Sequence, residues 1–488
     1  MELKVYNTKS RTKETFAPMV EGRIGMYVCG VTVYDMSHIG HARCYVAFDV
    51  IFRYLRHLGY EVNYVRNFTD VDDKIIKRAN ELGVPTRELA ERNIVEYHAD
   101  MDALRCLRPS GEPRVTDHIP DIVALVQRII DNGHGYVADD GSVYFSIDTY
   151  PQYLELSGRN IEDMVAGASD RVETDTNKRN PLDFVLWKPS KEGEPSWDSP
   201  WSAGRPGWHI ECSAMSARHL GDAFDIHGGG KDLVFPHHEN EIAQSKAASG
   251  DEFARYWLHN GFVNIDQEKM SKSLDNFFTI REVLKLYHPE AVRAFLLATH
   301  YRSPINYSTR NLEEATGRIE YMYQTLATLD EAIAQGGNEG DNLHPETETV
   351  RQQIVTAMSD DFNAAAAIGH IFELLRAAND WTRKKRKLVG RITTLRAIRE
   401  VVTEAASLFG ILERSPQEAL DEIRDRDVIR LGLDVAWVEA RLAARTAARQ
   451  EKDFTLADVI RTELAAKQVA VMDNPQGTTW GVIRAAVE

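Results

Sequence analysis

The first 65 residues alternate between two hydrophobic rhythms. A short continuous apolar run, Ile24 to Val28, leads through a turn into a stretch from Gly40 to Leu58 whose apolar positions recur at helical spacing, and a second β-rich run follows at Tyr60 to Val65. Strand, helix and strand with short connections predict a βαβ unit, which in a parallel sheet places ligands at the carboxyl ends of the strands. From Asp117 to Arg205 the pattern changes to a helix (Pro120 to Asn132), short strand-like pieces (Gly141 to Ile147, Asp183 to Trp187) and a loop rich in Pro, Ser, Gly and Trp, which reads as an insertion. Alternation resumes with Trp208 to His219, Ala223 to Ile226, Pro236 to Ser249 and Tyr256 to Ile265, as the second half of the same sheet. Beyond Thr279 the pattern is helical up to Gly410, broken by a polar, glycine-rich linker from Gly336 to His344, and a small separate unit ends the chain.

Composition narrows the class. A chain of 488 residues has room for about three domains. Its 43% hydrophobic and 27% charged residues exclude disordered and collagen-like chains. No long uncharged apolar run occurs and the first residues are polar, so neither a membrane span nor a secretory signal is expected, and the expected location is cytoplasmic. Cys29, Cys44, Cys106 and Cys212 are then free thiols or metal ligands rather than a disulfide framework. A net charge of −16 points away from a general nucleic-acid binder. Residues 381–400 nevertheless hold eight Lys and Arg against the single Glu400, so any polyanion would be met by local patches; a solvated helix face accounts for the same run.

Two motifs carry phosphate chemistry. His38-Ile39-Gly40-His41 lies where the loop after the first strand enters its helix, a place where backbone N–H groups and the helix dipole favour phosphate. Its imidazoles, three residues apart, would stabilise a pentavalent phosphate, and Gly40 would let a planar base approach. Lys269-Met270-Ser271-Lys272-Ser273 follows the last apolar strand and offers ammonium and hydroxyl groups to a triphosphate. Each alone also reads as an ordinary turn or a basic surface loop. In this order, each after a strand of one sheet, they resemble the signatures of class I aminoacyl-tRNA synthetases, which bind ATP and activate an amino acid as its adenylate.

The thiols bear on which amino acid. Cys29 ends the first strand, Cys212 sits at the start of a helix in Gly207 to Met215, and His237 and Glu241 lie four apart on one face of a helix opened by Pro236. These four are an acceptable zinc set assembled from distant segments, although on spacing alone His238 serves as well as His237. Tyr27 to Asp35, Asn67 to Lys74, Gly207 to Met215, Asp225 to Asp232, Phe235 to Gln244, Lys269 to Ser273 and Ser359 to Asn363 resemble the cysteinyl-tRNA synthetase family over essentially the whole chain. Lys231 and Phe68 vary the pattern without touching a proposed ligand.

That resemblance implies Zn2+ held by Cys29, Cys212, His237 and Glu241, with the substrate sulfur joining the metal. It also implies an amino-acid pocket lined by Thr69, Trp208 and His227, catalysis by His38, His41, Lys269 and Lys272, and ATP, with Mg2+, held by His38, Gly40, His41, Lys269, Ser271 and Lys272. The implied fold is an α/β Rossmann-like catalytic domain split as 1–116 and 206–268 around an α+β connective insertion at 117–205. A signature loop with stem-contact helices at 269–315, an all-α helical bundle at 316–413 and a small α+β anticodon-binding domain at 414–488 would follow. The partners are ATP, L-cysteine and tRNA(Cys), and the expected state is a monomer. Ala448 to Arg461 and Asn474 to Trp480 resemble the family's tail, where exposed aromatics and arginines would stack on splayed bases; a small bundle with a capping tryptophan is the bland alternative.

Zinc suits the discrimination required. An apolar pocket separates near-isosteres by only ~10², whereas a soft metal prefers thiolate to hydroxyl and lowers the thiol pKa. Two rivals remain on sequence: a shortened paralogue that joins cysteine to an aminosugar, which lacks the tail present here, and an idle binding paralogue, which would lose signature residues retained here.

Overall fold

A hairpin of β1 (Lys4–Asn7) and β2 (Thr12–Thr15) precedes the predicted βαβ unit, which is present as β3 (Arg23–Thr32), α1 (Ile39–His57) and β4 (Glu61–Thr69). The structure is a computed structural model that describes residues 2–160, 177–265, 268–269, 278–474 and 477–484. The chain divides into two units, Met1–Val263 with His300–Ile305 and Ala357–Asn363, and the remaining segments.

In the first unit, helices α2 (Asp73–Leu82), α3 (Thr86–Ala103) and α4 (Ile119–Asp131) follow β4. An antiparallel sheet of β5 (Gly135–Val137), β6 (Val143–Phe145), β7 (Phe184–Pro189) and β8 (Gly204–Pro206) comes next, in that spatial order. Then α5 (Trp208–Leu220), β9 (Phe224–Gly230), α6 (Glu239–Ser249) and β10 (Ala254–Asn260) complete a four-stranded parallel sheet ordered β10-β9-β3-β4.

β3 is central and covered on both faces, which is why Ile24 to Val28 reads as continuously apolar rather than alternating. The chain leaves β3 through α1 to one neighbour, β4, and returns much later to the other, β9. The carboxyl ends of β3 and β9 therefore flank the point where strand order reverses, the crevice in which open α/β sheets bind ligands. Register across that point pairs Tyr27 with His227 and Val28 with Gly228. Gly30 sits in a bulge between Val28 and Val31, and any β-carbon there would overlap the Asn67 carbonyl of β4. Ile122, Leu125, Val126 and Ile129 of α4 join one core with Ile210, Ala214 and Met215 of α5 and Ile242 and Ala243 of α6, so α4 is packed on the two helices that carry the candidate site residues.

The helix expected to open at Pro236 is present: Phe235 is extended (φ −142°, ψ 131°) and is the one non-helical residue of the turn Val234–His238, and the chain after it runs directly into α6. His238 is already αR (φ −67°, ψ −32°), and the four-residue separation of His237 and Glu241 still brings their side chains together.

The second unit contains α7 (Ile280–Leu286), α8 (Pro289–Leu296), α9 (Thr309–Ala334), most of α10 (Glu346–Ser359), α11 (Ala364–Thr382), α12 (Arg391–Leu408) and α13 (Pro416–Leu431). Then α14 (Val435–Gln450), α15 (Phe454–Ala466) and the hairpin Val469–Asn474 with Gly477–Val482 enclose a small core of Val438, Leu442, Ile460, Leu464, Val469 and Trp480. The Trp480 indole is buried and its Nε1 donates to Glu439 (2.9 Å), so this tryptophan caps the core and is not a base-stacking platform; Phe454, 61% exposed, is the open aromatic. Among the described residues no helix is long and apolar enough to cross a membrane.

Candidate active site and metal centre

Four buried donors from three distant segments converge beside the carboxyl end of β3. Cys29 is on β3, Cys212 in α5, His237 in the turn before α6, and Glu241 in the first turn of α6. One ligand atom from each lies within 4.8 Å of all the others. The sulfurs are 3.8 Å apart, Cys29 Sγ is 3.6 Å from Glu241 Oε1, and His237 Nε2 is 3.0 Å from the same oxygen. With Zn–S of about 2.3 Å and Zn–O of about 2.1 Å, tetrahedral edges are about 3.8 Å for S···S and about 3.6 Å for S···O, so the donor set has the size a zinc ion needs.

The residues behind these donors hold them in place. His237 Nδ1 meets His209 Nδ1 at 2.9 Å, and Glu241 Oε2 faces His227 Nε2 at 2.8 Å, while His227 Nδ1 donates to the Tyr27 carbonyl (3.2 Å). Such outer contacts fix the orientation of metal-binding side chains. A second, overlapping group, Cys29, His227, His238 and Glu241, also lies within 4.8 Å. There His238 Nε2 is 3.3 Å from Cys29 Sγ, and its Nδ1 meets His259 Nε2 at 2.8 Å, with His259 in turn on Thr8.

Burial and mutual charge set the protonation. Burial pushes the Cys29 thiol well above its usual range, with the neighbouring Cys212 adding to the effect, whereas Cys212, which accepts the Cys29 hydrogen bond and faces His237, is lowered to about 6. Burial lowers His237, but the Glu241 carboxylate and the Cys212 sulfur outweigh it and carry it to about 10. Burial likewise raises Glu241, and is outweighed by His227 and His237, which hold it well below the carboxylate range. Burial and His237 lower His209 to about 3, and burial keeps His238 neutral.

The three residues expected in the amino-acid pocket lie around this cluster. Trp208, 39% exposed at the start of α5, has its ring 4.4 Å from that of His237. His227 is fully buried against Glu241, and Thr69, at the end of β4, donates to Glu211 Oε2 at 3.1 Å. Trp208, His209 and Glu211 line a cleft of about 400 Å³ together with Asp72, Asp73 and Arg205. Glu211, His209 and His259 escaped the sequence reading. Glu211 and His209 sit inside a motif already singled out, but an isolated acid or histidine announces nothing until burial is known. Burial raises the Glu211 carboxyl well above its usual range.

His38 is the N-cap of α1: its Nδ1 accepts from Gly40 N (3.1 Å), and His38 N donates to His41 Nδ1 (3.2 Å). The two rings stack 3.8 Å apart over the helix N-terminus. A β-carbon on Gly40 would lie 2.8 Å from the His38 ring, so this glycine is required by the histidine pair itself, in addition to any approach of a base. The Lys269 backbone lies in a two-residue strand paired with Asn264 and Ile265, while Ser271 and Lys272 lie outside the described residues.

Comparison with known proteins gives three matched family models along the chain. Residues 15–317 match the class I (C) tRNA synthetase catalytic domain, 353–413 the DALR domain, and 436–480 the cysteinyl-tRNA ligase anticodon binding domain. A cysteine–tRNA ligase of Geobacter sulfurreducens is 52% identical over 488 residues, covering 99% of this chain and all of that protein. A chloroplastic/mitochondrial cysteine–tRNA ligase of Arabidopsis thaliana is 53% identical over 487 residues, 98% of this chain and 86% of that protein. Among solved structures, Mycobacterium tuberculosis methionyl-tRNA synthetase with methionyl-adenylate superposes with a TM-score of 0.62 at 20% identity, over 82% of this chain and 93% of that one, a likeness of fold.

Proposed function

The chain belongs to the cysteinyl-tRNA synthetase family of class I enzymes, and from that membership we propose that it is a cysteine–tRNA ligase working through the residues just described. It joins L-cysteine to ATP as cysteinyl-adenylate with release of pyrophosphate, then passes cysteine to the 3′ end of tRNA(Cys) with release of AMP. The observation that carries the reading is the two-thiol, one-imidazole, one-carboxylate cluster at the strand-order reversal. An aminosugar acceptor finds no support, since residues 436–480 match an anticodon-binding module. The proposed layout is a split Rossmann-like domain with its insertion, a helical bundle and this module.

Cys29, Cys212, His237 and Glu241 would hold the zinc ion. Two sulfurs at a tetrahedral edge favour this set over the one containing His227 and His238, because His227 is committed to Tyr27 and Glu241. The bound ion supplies a soft Lewis acid that prefers a thiolate to the hydroxyl of serine. Trp208 covers the mouth beside His237, Glu211 and Thr69 orient the amino acid, and the stacked His38 and His41 meet phosphate where the α1 dipole already favours it. Lys269 and Lys272, together with Mg2+, would offset the charge of the triphosphate, and Ser271 would donate a hydrogen bond to it. Cysteine-dependent ATP–pyrophosphate exchange, absent with serine and followed by charging of tRNA(Cys), tests the function; exchange without charging would overturn it.

Loading the centre at pH 7.5 is expected to release about two protons, one from Cys29 and one from His237, because metal binding needs both deprotonated. Calorimetry in buffers of different ionisation enthalpy reads this number. Protons compete with the metal, so affinity falls as pH falls, and more steeply below about 6, where Cys212 also protonates. Release of no proton would contradict the assignment.

His41→Asn should slow exchange by about 10² in kcat with little change in the KM for cysteine. The amide oxygen can still accept from His38 N–H, so the cap survives while the imidazole is lost. A variant with normal kcat would remove His41 from the reaction.

A further inference from the structure

We propose that the loop 383–387 in the second unit is an RNA-backbone contact, a phosphate-binding element separate from the anticodon module. Arg383, Lys384, Lys385, Arg386 and Lys387 are consecutive and exposed between α11 and α12. Among the described residues no carboxylate forms an ion pair with Arg383, Lys384, Lys385 or Lys387. Two carboxylates of the surrounding elements are paired with α12 instead: Glu339 with Arg396 (2.7 Å) and Asp330 with Arg399 (2.8 Å). Four cations within five residues thus stand without an ion pair among the described residues, on a chain whose net charge is −16.

The loop is built rather than slack. Two successive turns close it, Lys384 N on Trp381 O (3.2 Å) and Leu388 N on Lys385 O (3.0 Å). Asn338 Nδ2 holds the Lys387 carbonyl at 3.0 Å, the Arg391 guanidinium holds the Thr382 carbonyl at 2.9 Å, and Arg386 is used up on Gln335 at the end of α9. Gly390 (φ 81°) lets the linker 336–344 lie against the loop, since a β-carbon there would strike the Asp341 carbonyl. The linker that the sequence marked as a break therefore serves as the brace of a preformed cationic strip.

Such a strip gains most from a ligand that presents charges in series and releases condensed counter-ions, which a nucleic-acid backbone does. An acidic protein as a whole repels its polyanion, so local cationic patches have to supply the attraction. The inference rests on the tRNA-ligase reading, which provides that polyanion. The contact is with phosphate and carries no base specificity.

The test uses the full chain with Arg383, Lys384, Lys385 and Lys387 all changed to Gln, leaving Arg386 to hold Gln335. Binding of a tRNA(Cys) transcript is measured by fluorescence anisotropy across a salt series, with cysteine-dependent pyrophosphate exchange alongside. The expected result is a Kd raised about tenfold at 0.1 M salt and a salt slope reduced by about 2–3, with exchange unchanged. An all-arginine loop should restore binding, and an unrelated RNA duplex should lose affinity in parallel. Unchanged tRNA affinity and slope in the glutamine variant overturn the proposal, as does a loss confined to anionic phospholipid vesicles. Wild-type protein without cysteine-dependent exchange would instead overturn the functional reading, so the two failures are distinguishable.

Discussion

Cys212→Ser is expected to leave the purified protein nearly free of zinc and to lower cysteine-dependent pyrophosphate exchange by at least ~10². Outer partners of metal ligands already cost 10–100-fold on average when removed, and here a ligand itself is lost. Serine keeps the volume of the buried side chain but replaces a soft anionic sulfur, held at about 6 by the Cys29 hydrogen bond and His237, with a neutral hard oxygen. Cys106→Ser, at a buried thiol outside either donor set, is the control and should retain metal and activity provided it folds. His238→Gln separates the two overlapping groups: zinc content should survive it and fall in His237→Gln. Metal analysis after dialysis against a weak chelator, with circular dichroism to confirm folding, reads all four variants. Full zinc and full exchange in Cys212→Ser would remove the sulfur from the mechanism.

Truncation after Leu433 should separate the two steps of the reaction. The cut keeps α13, because Ala419 and Ile423 are buried and Arg430 pairs with Glu313 of α9 at 2.7 Å. It removes the α14, α15 and hairpin unit with its own core, together with the Arg484 contacts to Asp427 and Glu320. Exchange should stay within about twofold, since every proposed zinc and ATP residue lies earlier in the chain. Charging of tRNA(Cys) should drop by ~10² or more in kcat/KM, because binding energy remote from the acceptor end positions that end at the adenylate. Charging by the intact enzyme should also weaken as salt rises, with exchange responding far less. Unchanged charging by the truncated chain would reduce the tail to a stabilising appendage.

The βαβ start was legible because β3 is buried on both faces and α1 on most of its circumference, so burial wrote continuous and helical periodicities into the residues. In the antiparallel sheet β6 and β7 fall at the strand-like pieces read at Gly141 to Ile147 and Asp183 to Trp187, whereas β5, β8 and the hairpin β1–β2 were not read, since strands of three or four residues carry few positions for a period to emerge. The start of the helical run before α6 was legible from Pro236, because proline suits a first helical position and the residue before it, Phe235, is extended.

Residue type and spacing marked the two candidate phosphate motifs and a candidate metal set containing either His237 or His238, and the family resemblance chose His237. Spacing could not choose between His237 and His238, and both prove to be buried within reach of Cys29 and Glu241. What supports the proposed choice of His237 came from the tertiary structure: a second sulfur 3.8 Å from the first, and a His227 already committed to Tyr27 and Glu241. It also showed that Trp480 caps a core, that Gly40 is demanded by the His38 ring, and that a charge run readable as a solvated helix face is a braced loop. The physical reason is common to all of these. A sequence records which groups are present, whereas desolvation, partner choice and charge compensation depend on what folding from elsewhere in the chain brings within a few ångströms.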